Sequence, residues 1–576
     1  MRNNYDEKKS TRGIITLIVI VVLAIGLIFI FSKNEKDLYR LPVFETSDVH
    51  GYIAYKKDDN YQYYLAYISD KVKDVRGYGD KYDNNLALLV DGGDIFQGYA
   101  LSNLLEGESI SAAYMMMGYD AVGLGNHEFD WEIENTVDKD GTMMDATVKF
   151  KVENDIPVLA SNLYQNEKKV EWIKDYVIVN KKARNNKGEE ITVKIALIGY
   201  LDEYHEQIMS TLFTDKGYSI KEDISIPEKI AKKLEEEGLA DISIILCHAD
   251  AELVANELSK DTKVDLVLGG HTHSNKNGKA KNGIPYMEPT NNGKAYNYLE
   301  LIFDYDNNGK VIYKKVDNMN NISILDIVDK TLNKEENKDE LDSEIVELTD
   351  KVIDMLKEVQ DKKVGYITTS AKKKEFITGS GNLSTTGGNW MSSIYQRATN
   401  SDVAFTNRGG VRFDFDVSGK KRDVTVGEIY STYPFDNFIY KYKITYEELL
   451  SIIKYALSDS EKKAIVSIIG IDCYYKDGKV NALVKDNTVI YKDGKWTSDW
   501  KDKTLTIATN EYVATNNEAN NPDGNPITKW NDTDKLLEHD KIDSSYAIEI
   551  LTKEGKDNNG LLTIDTRAHF IEEEYK

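Results

Sequence analysis

The sequence predicts a mixed α/β protein with two domains and a helix between them. The chain has 576 residues, which is more than one ordinary domain holds. Short apolar runs alternate with amphipathic stretches in its first half, as in a sheet whose strands are separated by helices. Hydrophobic residues make up 41% of the chain, enough for globular cores. Sheets of this kind place their chemistry beyond the strand ends.

The N-terminal segment is expected to anchor the chain in a membrane. Residues 1–12 are rich in Lys and Arg, and the uncharged apolar run Gly13–Phe31 follows. At about 1.5 Å per residue this run spans roughly 28 Å, enough for the hydrocarbon core. We therefore expect a cytoplasmic tail (1–12), a single transmembrane span (13–31) and an extracytoplasmic body at the cell membrane. The alternative is a cleaved signal peptide, although the run is long and lacks a clear small-x-small cleavage site.

After a linker at residues 32–40, the first domain is expected at residues 41–323. Nearly every apolar run in it ends in Asp, Asn, Gly or His. The runs are LPVFETSD, LALLVDGGD, DAVGLGN, IPVLASN, VKIALIGY, DISIILCH and VDLVLGGH. A repeated apolar run that ends in a metal-ligand residue type indicates one shared centre at the strand ends.

Residues 324–361 are predicted to form a linker helix. Apolar residues recur there at three- and four-residue steps and give one apolar stripe. The stripe consists of Leu341, Ile345, Leu348, Val352, Leu356 and Val359. We expect the helix to pack on one domain, with a hinge role as the alternative. The second domain then spans residues 362–576, with the helix-like run ITYEELLSIIKYAL and the strand-like runs IVSIIGIDCYY and TLTIATNEYV.

The composition narrows the possible partners. The formal net charge of −24 and the pI of about 4.9 argue against nucleic-acid polymers, which need a basic face. Small anionic substrates remain possible where metals or arginines reverse the local field. Cys247 and Cys473 lie in separate apolar runs, so we expect buried free thiols and no cysteine zinc site.

The strand ends of the first domain carry the residue types of a metal centre. Five of the eight histidines fall there. The candidates, in chain order, are Asp48, His50, Asp91, Asp94, Asn126, His127, His248, His271 and His273. Imidazole and carboxylate without thiolate suit zinc, manganese or iron. The number of candidate ligands is right for two metal ions. Two ions about 3.5–4 Å apart can hold the attacking and leaving oxygens of a phosphoryl group. We expect DVH and HTH to converge in loops, where the backbone has left strand geometry.

The ordered series SDVHG, DGGD, GNHE, CHAD and GGHTH resembles the calcineurin-like metallophosphoesterases. With the C-terminal half included, the chain resembles the 5'-nucleotidase family, the extracellular and periplasmic nucleotide and UDP-sugar hydrolases. The resemblance implies a four-layer α/β/β/α sandwich followed by an α/β substrate-binding domain. It also implies a metal-dependent phosphoric ester hydrolase that uses two divalent ions, of zinc, manganese or a similar metal.

Matched residue by residue, the resemblance implies two metal positions that share a bridging Asp94. One ion would be held by Asp48, His50, Asp94 and His273, and the other by Asp94, Asn126, His248 and His271. His127 would be the catalytic histidine, and Asp130 would orient it. Glu128 and Asp91 are expected to support the site without ligating a metal.

The second domain is expected to bind the nucleotide. The segment NRGGVR fits the family pattern NGGGIR, which implies that Asn407 contacts the base or ribose and that Arg412 contacts the phosphate. YPFDN implies that Phe435 stacks on the base, and TNEYV places Tyr512 on its other face. The alternative is that Phe435 and Tyr512 are core residues.

Three departures from the family pattern leave the substrate open. The segment that matches the family's RExxxGN is LSTTGGN, so Leu383 occupies the place of a phosphate-binding arginine. Asn516-Asn517-Glu518 stands where the family has GGD, which leaves Glu518 as a substrate-binding candidate. Arg408 replaces a glycine and is a candidate to restore the missing positive charge.

We therefore expect a membrane-anchored, extracytoplasmic phosphohydrolase that converts nucleotides to nucleoside and phosphate. ETSDVHG also resembles the branch of 2',3'-cyclic-nucleotide 2'-phosphodiesterases/3'-nucleotidases, and a UDP-sugar hydrolase is a further alternative. The alternative of another class is a non-catalytic surface nucleotide-binding protein. The intact ligand set and the pair His127 and Asp130 argue against it. The sequence leaves the metal, the preferred base and the oligomeric state open.

Overall fold

A computed structural model describes residues 37–576, with several gaps. The segments outside the described residues are 1–36, 58–59, 153, 203–212, 214–215, 325–331, 333–336, 338, 434–436, 459–464, 466, 516–524 and 532. The predicted tail and the predicted span Gly13–Phe31 therefore lie outside the described residues. Within the described part of the chain, no helix combines the length and the hydropathy that a membrane crossing requires.

The first domain is rich in strands, which are numbered here in chain order. They are β1 (Tyr39–Thr46), β2 (Tyr55–Lys57), β3 (Asn60–Gln62), β4 (Leu88–Asp91), β5 (Ala121–Gly123), β6 (Val158–Leu159), β7 (Leu163–Gln165), β8 (Lys168–Lys169), β9 (Tyr176–Arg184), β10 (Glu190–Leu201), β11 (Tyr218–Ile220), β12 (Ile242–His248), β13 (Leu266–Leu268), β14 (Lys276–Lys279), β15 (Pro285–Glu288), β16 (Ala295–Tyr305) and β17 (Val311–Ser323). All seven predicted apolar runs contain a strand: β1, β4, β5, β6, β10, β12 and β13.

Twelve of these strands form one sheet that folds over itself. The order is β14-β15-β13-β12-β10-β9-β1-β4-β5-β6, and β16 pairs with β1 and β17. Two groups are parallel, β1-β4-β5-β6 and β10-β12-β13-β15. Their inward side chains meet in one apolar core that includes Val43, Val90, Ile195 and Leu246. The two groups are therefore two stacked layers of a sandwich.

Helices cover both outer faces of this sandwich. They are α1 (Tyr64–Arg76), α2 (Ala100–Asn103), α3 (Glu108–Met117), α4 (Ser225–Glu236) and α5 (Ala251–Glu257). Leu65 of α1 and Ile110 of α3 pack in a core with the β1-β4-β5 layer. Ala231 of α4 and Val254 of α5 pack with the β10-β12-β13 layer. The layers run α/β/β/α, and the predicted α/β fold class is confirmed.

Helix α6 (Ser343–Gln360) lies within the predicted linker helix of residues 324–361, but the described residues 339–342 just before it are not helical. The Asp342 side chain caps it by accepting the Glu344 N–H. Its buried stripe, which includes Ile345, Val352 and Leu356, belongs to the core of the first domain. The helix therefore packs mainly on the first domain, as expected, while Gln360 at its C-terminal end also packs against Gly427 of the second domain.

The second domain contains strands β18 (Lys363–Ile367), β19 (Val403–Thr406), β20 (Arg422–Thr425), β21 (Phe438–Thr445), β22 (Ser467–Ile469), β23 (Asp472–Lys476), β24 (Lys479–Lys485), β25 (Thr488–Lys492), β26 (Lys495–Trp496), β27 (Thr504–Asn510), β28 (Leu536–Ile542) and β29 (Phe570–Ile571). Its helices are α7 (Thr386–Thr399), α8 (Val426–Thr432), α9 (Tyr446–Ser458), α10 (Glu511–Thr515) and α11 (Asp543–Asp557). Two five-stranded sheets organise it, β22-β19-β27-β21-β28 and β26-β25-β24-β23-β29.

One expectation for this domain was wrong. The run TLTIATNEYV is strand only as far as Asn510, and Tyr512 lies on α10. The Asn510 side chain accepts the Val513 N–H at 3.1 Å, which satisfies a donor of the first helical turn and ends the strand. Cys247 and Cys473 are both buried and free, as expected.

His569 links the C-terminal segment to β23. Its Nδ1 lies 2.6 Å from an Asp472 carboxylate oxygen, and its Nε2 lies 3.1 Å from an Asp565 carboxylate oxygen. Both ring nitrogens can donate only when the imidazole is protonated. Burial lowers the pKa of His569, but its hydrogen bonds to the two carboxylates outweigh burial and raise it. Arg567 Nη2 also lies 3.0 Å from Asp565, so the described charged groups around this imidazolium are two carboxylates and one guanidinium.

We expect His569→Gln to lower the free energy of unfolding by about 1–3 kcal/mol at about pH 6, because charged hydrogen bonds are lost. Since the folded pKa is raised, this contribution is complete below the unfolded pKa of about 6.5 and is lost as the pH rises through the folded value. Urea unfolding at about pH 6 and about pH 9 measures the difference. His539→Gln, at an exposed histidine, is the control. A loss of stability that is the same at both pH values contradicts the charged pairing.

Candidate metal centre and cavity

The metal-ligand candidates all lie at the carboxyl ends of parallel strands. Asp48 and His50 follow β1, Asp94 follows β4, Asn126 follows β5, His248 ends β12, and His271 and His273 follow β13. Carboxyl ends of parallel strands open toward one edge of a sheet. The two stacked layers therefore bring together residues that are more than two hundred positions apart in the chain. For example, the His271 backbone N–H donates to the Asp48 carboxylate at 2.9 Å.

Five of these residues have a left-handed backbone. The φ angle is 54° at Asp48, 50° at His50, 58° at Asp94, 75° at His271 and 54° at His273. This conformation is uncommon for residues with a side chain and concentrates at functional sites. Residues two apart on a strand lie about 6.6 Å apart along it, so a regular strand would not close around one point. As expected, DVH and HTH converge where the backbone leaves strand geometry.

The first group of candidates contains Asp48, His50 and His273. His273 Nε2 lies 3.3 Å from His50 Nε2 and 3.2 Å from Asp48 Oδ1. His50 Nδ1 lies 3.0 Å from the Gln97 carbonyl oxygen. Because Nδ1 donates to that carbonyl, the Nε2 lone pair of His50 faces the group. One ligand atom from each residue lies within 4.8 Å of the others.

The second group contains Asp94, Asn126, His248 and His271. His248 Nε2 lies 3.1 Å from Asp94 Oδ2 and 3.2 Å from Asn126 Oδ1. His248 Nδ1 lies 2.9 Å from the Gly92 carbonyl oxygen and donates to it, which leaves Nε2 for a ligand. Asp94 Oδ2 is also 4.0 Å from His50 Nε2 of the first group. The candidates thus form two adjoining groups with Asp94 between them.

The ionisation of these side chains fits divalent ions. Burial lowers the pKa of His50 to about 3 and that of His271 to about 4, so both are neutral imidazoles, the form that binds a metal. Burial also lowers the pKa of His248, but the carboxylates of Asp94 and Asp48 raise it to about 10. Those carboxylates therefore stabilise a positive charge at Nε2. Imidazole, carboxylate and amide oxygen donors suit two ions of zinc, manganese or a similar metal, and the cofactor prediction is confirmed.

Glu128 and Asp91 support the loops that carry the ligands. The Glu128 carboxylate accepts the N–H groups of Asp94, Ile95 and Gly125 at 2.7–3.0 Å. The Asp91 carboxylate accepts hydrogen bonds from the Thr46 hydroxyl, the Tyr114 hydroxyl and the Gly93 N–H. Because both carboxylates accept these hydrogen bonds, neither Glu128 nor Asp91 belongs to the two groups of metal-ligand candidates. This agrees with the expectation from the sequence that both residues support the site without ligating a metal.

His127 lies beside Asp94, with Asp130 behind it. His127 Nδ1 is 2.6 Å from Asp130 Oδ2, and its Nε2 is 3.9 Å from Asp94 Oδ2. Burial lowers the pKa of His127, but the carboxylates of Asp130 and Asp94 raise it to about 9. At neutral pH the ring is therefore an oriented imidazolium whose Nε2–H can donate to an anion.

A cavity of about 780 Å³ lies between the two domains at this centre. Its volume falls in the range of small-molecule sites, about 300–1,000 Å³. The first-domain wall includes His50, Asp94, Asn126, His127, Asp130, His271 and His273, and the second-domain wall includes Asn407, Arg408, Arg412 and Tyr512. The structure therefore brings four substrate-binding candidates to the metal candidates. The other two, Phe435 and Glu518, lie outside the described residues.

The described substrate candidates have distinct surroundings. Arg412 lines the cavity from the second domain, and its positive charge lowers the pKa of His127 on the opposite wall. Asn407 is buried, and its Oδ1 accepts a hydrogen bond of 2.9 Å from Asn510. Tyr512 lines the cavity and also packs against the apolar core of the second domain, so both interpretations of this residue hold in part.

Sequence reasoning missed other cavity residues. Lys373, Lys374 and Trp131 line the cavity. The available signal was the run of three lysines, Lys372 to Lys374, in a strongly acidic chain. Leu383, at the place of the family's arginine, is fully buried in the core of the second domain and takes no part in the cavity.

Comparison with known proteins matches the two domains separately. Residues 41–275 match the family of calcineurin-like phosphoesterases, and residues 363–521 match the 5'-nucleotidase C-terminal domain. The chain is 23% identical over 477 residues to a 5'-nucleotidase of Vibrio parahaemolyticus, covering 78% of the chain and 80% of that protein. The solved 5'-nucleotidase precursor of Thermus thermophilus has the same fold, with a TM-score of 0.62 at 15% identity over 93% of the chain and 100% of that structure.

Other relatives are longer than the matched part of the chain. The chain is 26% identical over 460 residues to the trifunctional nucleotide phosphoesterase protein YfkN of Bacillus subtilis, covering 76% of the chain but 29% of that protein. It is 26% identical over 320 residues to a 5'-nucleotidase of Diplobatis ommata, covering 50% of each. The chain therefore spans half or less of these two relatives.

Removing the shared carboxylate should empty the metal centre. We expect the full chain to bind about two divalent ions and Asp94→Asn to bind fewer than about one, because both groups lose a ligand. Inductively coupled plasma mass spectrometry after dialysis measures the metal content, and circular dichroism checks the fold. His127→Ala is the matched control and should keep both ions. His127 lies 3.9 Å from Asp94, as close as the ligand candidate His50 at 4.0 Å, but it is not a predicted ligand. Metal loss in His127→Ala would show that His127 is itself a ligand.

Proposed function

Because the chain belongs to the 5'-nucleotidase family, with a calcineurin-like phosphoesterase domain followed by a 5'-nucleotidase C-terminal domain, we propose that it hydrolyses nucleotides to nucleoside and phosphate. This family consists of metal-dependent phosphoester hydrolases, and the predicted enzyme class is confirmed at that level. One observation carries the proposal for the substrate. Five of the seven metal candidates line the same cavity as the candidate nucleotide-binding residues Asn407, Arg412 and Tyr512.

The residues divide the work of phosphate-ester cleavage between them. When bound, two divalent ions polarise the phosphoryl oxygens and make water nucleophilic near neutral pH. Asp48, His50, Asp94 and His273 would hold one ion, and Asp94, Asn126, His248 and His271 the other. The buried hydrogen bonds behind these residues, such as His50 to Gln97 and His248 to Gly92, fix the ring orientation.

His127 and Arg412 act on the phosphate itself. The His127 imidazolium, oriented by Asp130, donates from Nε2 to a phosphoryl oxygen as negative charge develops. The Arg412 guanidinium lines the same cavity from the second domain and would offer two parallel donors to phosphate oxygens. Charge on the phosphate is thus balanced from both walls of the cavity.

Asn407 and Tyr512 place the nucleoside. The Tyr512 ring forms part of the cavity wall and offers a flat apolar face to a base. Because Asn510 donates to Asn407 Oδ1, the Asn407 side-chain amide is held in one orientation toward the cavity. A base on Tyr512 and a phosphate at His127 would lie in one continuous cavity.

The rate of substrate loss distinguishes this activity from its alternatives. We expect the full chain loaded with manganese or zinc to hydrolyse 5'-AMP faster than 2',3'-cyclic AMP or UDP-glucose, with each substrate and its products separated by chromatography, because the first cleavage of the diester or of UDP-glucose frees no phosphate. His127→Ala should lower kcat by about 10²–10⁴-fold because one positioned proton donor is removed. His539→Ala, at an exposed residue, is the control. Hydrolysis of the cyclic diester alone would assign the chain to the phosphodiesterase branch, and tight binding of 5'-AMP without turnover would indicate a binding protein.

We also propose that residues 13–31 anchor the chain in the cell membrane with both domains outside the cytoplasm. The proposal rests on the uncharged apolar run and the basic residues before it. We expect the full chain, expressed in a bacterial host, to stay with membranes after alkaline carbonate extraction. The double variant Val21→Arg/Val22→Arg should be extracted, because each charge at the span centre costs about 2.5–3.5 kcal/mol. Extraction of the unaltered chain would contradict the anchor.

A further inference from the structure

The segment Glu288–Asn292, EPTNN, contacts the loops that carry the first group of metal candidates. It begins at the end of β15, which pairs in parallel with β13, so it lies beside the loop that holds His273. The Thr290 hydroxyl donates to the His273 carbonyl oxygen at 3.2 Å, and the Asn292 N–H donates to the Asp48 carbonyl oxygen at 2.8 Å. The segment therefore contacts two of the three residues of that group.

Glu288, the first residue of this segment, holds the turn between the two histidines of GGHTH. Its carboxylate is fully buried, and Oε1 accepts both the N–H and the hydroxyl of Thr272. Its Oε2 lies 3.4 Å from the Ala251 nitrogen and 3.5 Å from Lys276 Nζ. A buried carboxylate that is paired in this way keeps one geometry. The start of the segment is therefore fixed against the loop that carries His273.

The Asn291 side chain contacts the His273 ring through the ring nitrogen that does not face the metal candidates. Asn291 Nδ2 lies 3.0 Å from His273 Nδ1. On the other side of the ring, His273 Nε2 lies 3.2 Å from Asp48 Oδ1 and 3.3 Å from His50 Nε2. The Asn291 contact therefore helps to fix the direction in which His273 Nε2 points.

A metal at His273 Nε2 determines which nitrogen of the ring carries the proton. A neutral imidazole has one N–H, and the nitrogen that binds a metal needs a free lone pair. The proton must then lie on Nδ1, where it needs an acceptor. Half a turn of the Asn291 side-chain amide exchanges its nitrogen and its oxygen and brings Oδ1 to His273 Nδ1. Asn291 can therefore supply that acceptor.

Two other candidate histidines obtain this acceptor from the backbone. His50 Nδ1 lies 3.0 Å from the Gln97 carbonyl oxygen, and His248 Nδ1 lies 2.9 Å from the Gly92 carbonyl oxygen. A backbone carbonyl cannot be removed by substitution, whereas the Asn291 side chain can. The contact to His273 is therefore open to a direct test.

We infer that Asn291 is a positioning residue for the first metal position. Its amide oxygen accepts the Nδ1–H of His273 and holds the Nε2 lone pair toward Asp48 and His50. The hydrogen bonds of Glu288 and of the neighbouring backbone hold Asn291 in place before a metal binds. The second metal position does not include His273 and does not depend on this contact. The inference rests on the two metal positions of the proposed function and adds a residue that neither position includes.

Calorimetric titration of the metal-free full chain with Mn²⁺ tests the inference. We expect two binding steps in the unaltered chain, and His273→Ala identifies the step that belongs to the first position. Asn291→Ala should weaken that step by about 10–100-fold, the usual cost of losing the partner of a ligand histidine, and the other step by less than about threefold. Asn291→Asp should keep both steps within about threefold, because a carboxylate also accepts the Nδ1–H.

Asn307→Ala is the control, since Asn307 lies in the exposed turn between β16 and β17 and should leave both steps unchanged. Circular dichroism checks the fold of each variant. If Asn291→Ala does not fold, Asn291→Asp decides the question, because it replaces only the amide nitrogen with oxygen. Unchanged steps in Asn291→Ala, equal losses in both steps, or loss of the first step in Asn291→Asp would each overturn the inference. The proposed function fails separately, if a chain that binds two ions does not hydrolyse 5'-AMP.

Discussion

The Asp94 carboxylate is buried at the point where the two groups of metal candidates meet, and much of the surrounding structure compensates for its charge. Only 2% of its surface is exposed, and burial alone would raise its pKa. His248, His127 and His50 reverse that effect and hold the pKa well below its ordinary value. A buried carboxylate costs several kcal/mol unless charges and hydrogen bonds compensate for it. The surrounding histidines therefore keep the Asp94 carboxylate negatively charged between the two groups of metal-ligand candidates.

That requirement extends to the backbone. Asp94 is left-handed, and the Glu128 carboxylate accepts its N–H together with those of Ile95 and Gly125. A Cβ on Gly125 would lie 2.3 Å from Asp94 N and from Asp94 Oδ1, so only glycine allows this approach. The stretch GLGNHEFD thus supplies a glycine for close packing, a ligand candidate in Asn126 and an imidazolium in His127. The left-handed backbone at Asp94 costs free energy, and the surrounding strands β4 and β5 hold the loops in this conformation.

The two domains contribute opposite charges to one cavity. The first domain places carboxylates and imidazoles at its strand ends, and the second faces them with lysines and arginines. Helix α6 belongs to the core of the first domain, so the connection that carries the second domain begins from a firmly packed element. In a chain of net charge −24, this basic wall reverses the field where an anionic substrate would enter. The overall charge favours solubility, while the local arrangement selects the ligand.

The sequence by itself determined the strands of the first domain, the polar residues at their ends, the amphipathic linker helix and the chemistry of the metal centre. These are local properties, since apolar runs, their periodicity and the residue that ends each run can be read within a few positions. The tertiary structure alone decided which basic residues face the cavity, that Leu383 belongs to the core, that Tyr512 lies on a helix and which N–H groups the Glu128 carboxylate accepts. These outcomes depend on packing between segments far apart in the chain, such as Lys373 against Arg412 and Asp94 against Glu128, which no local pattern specifies.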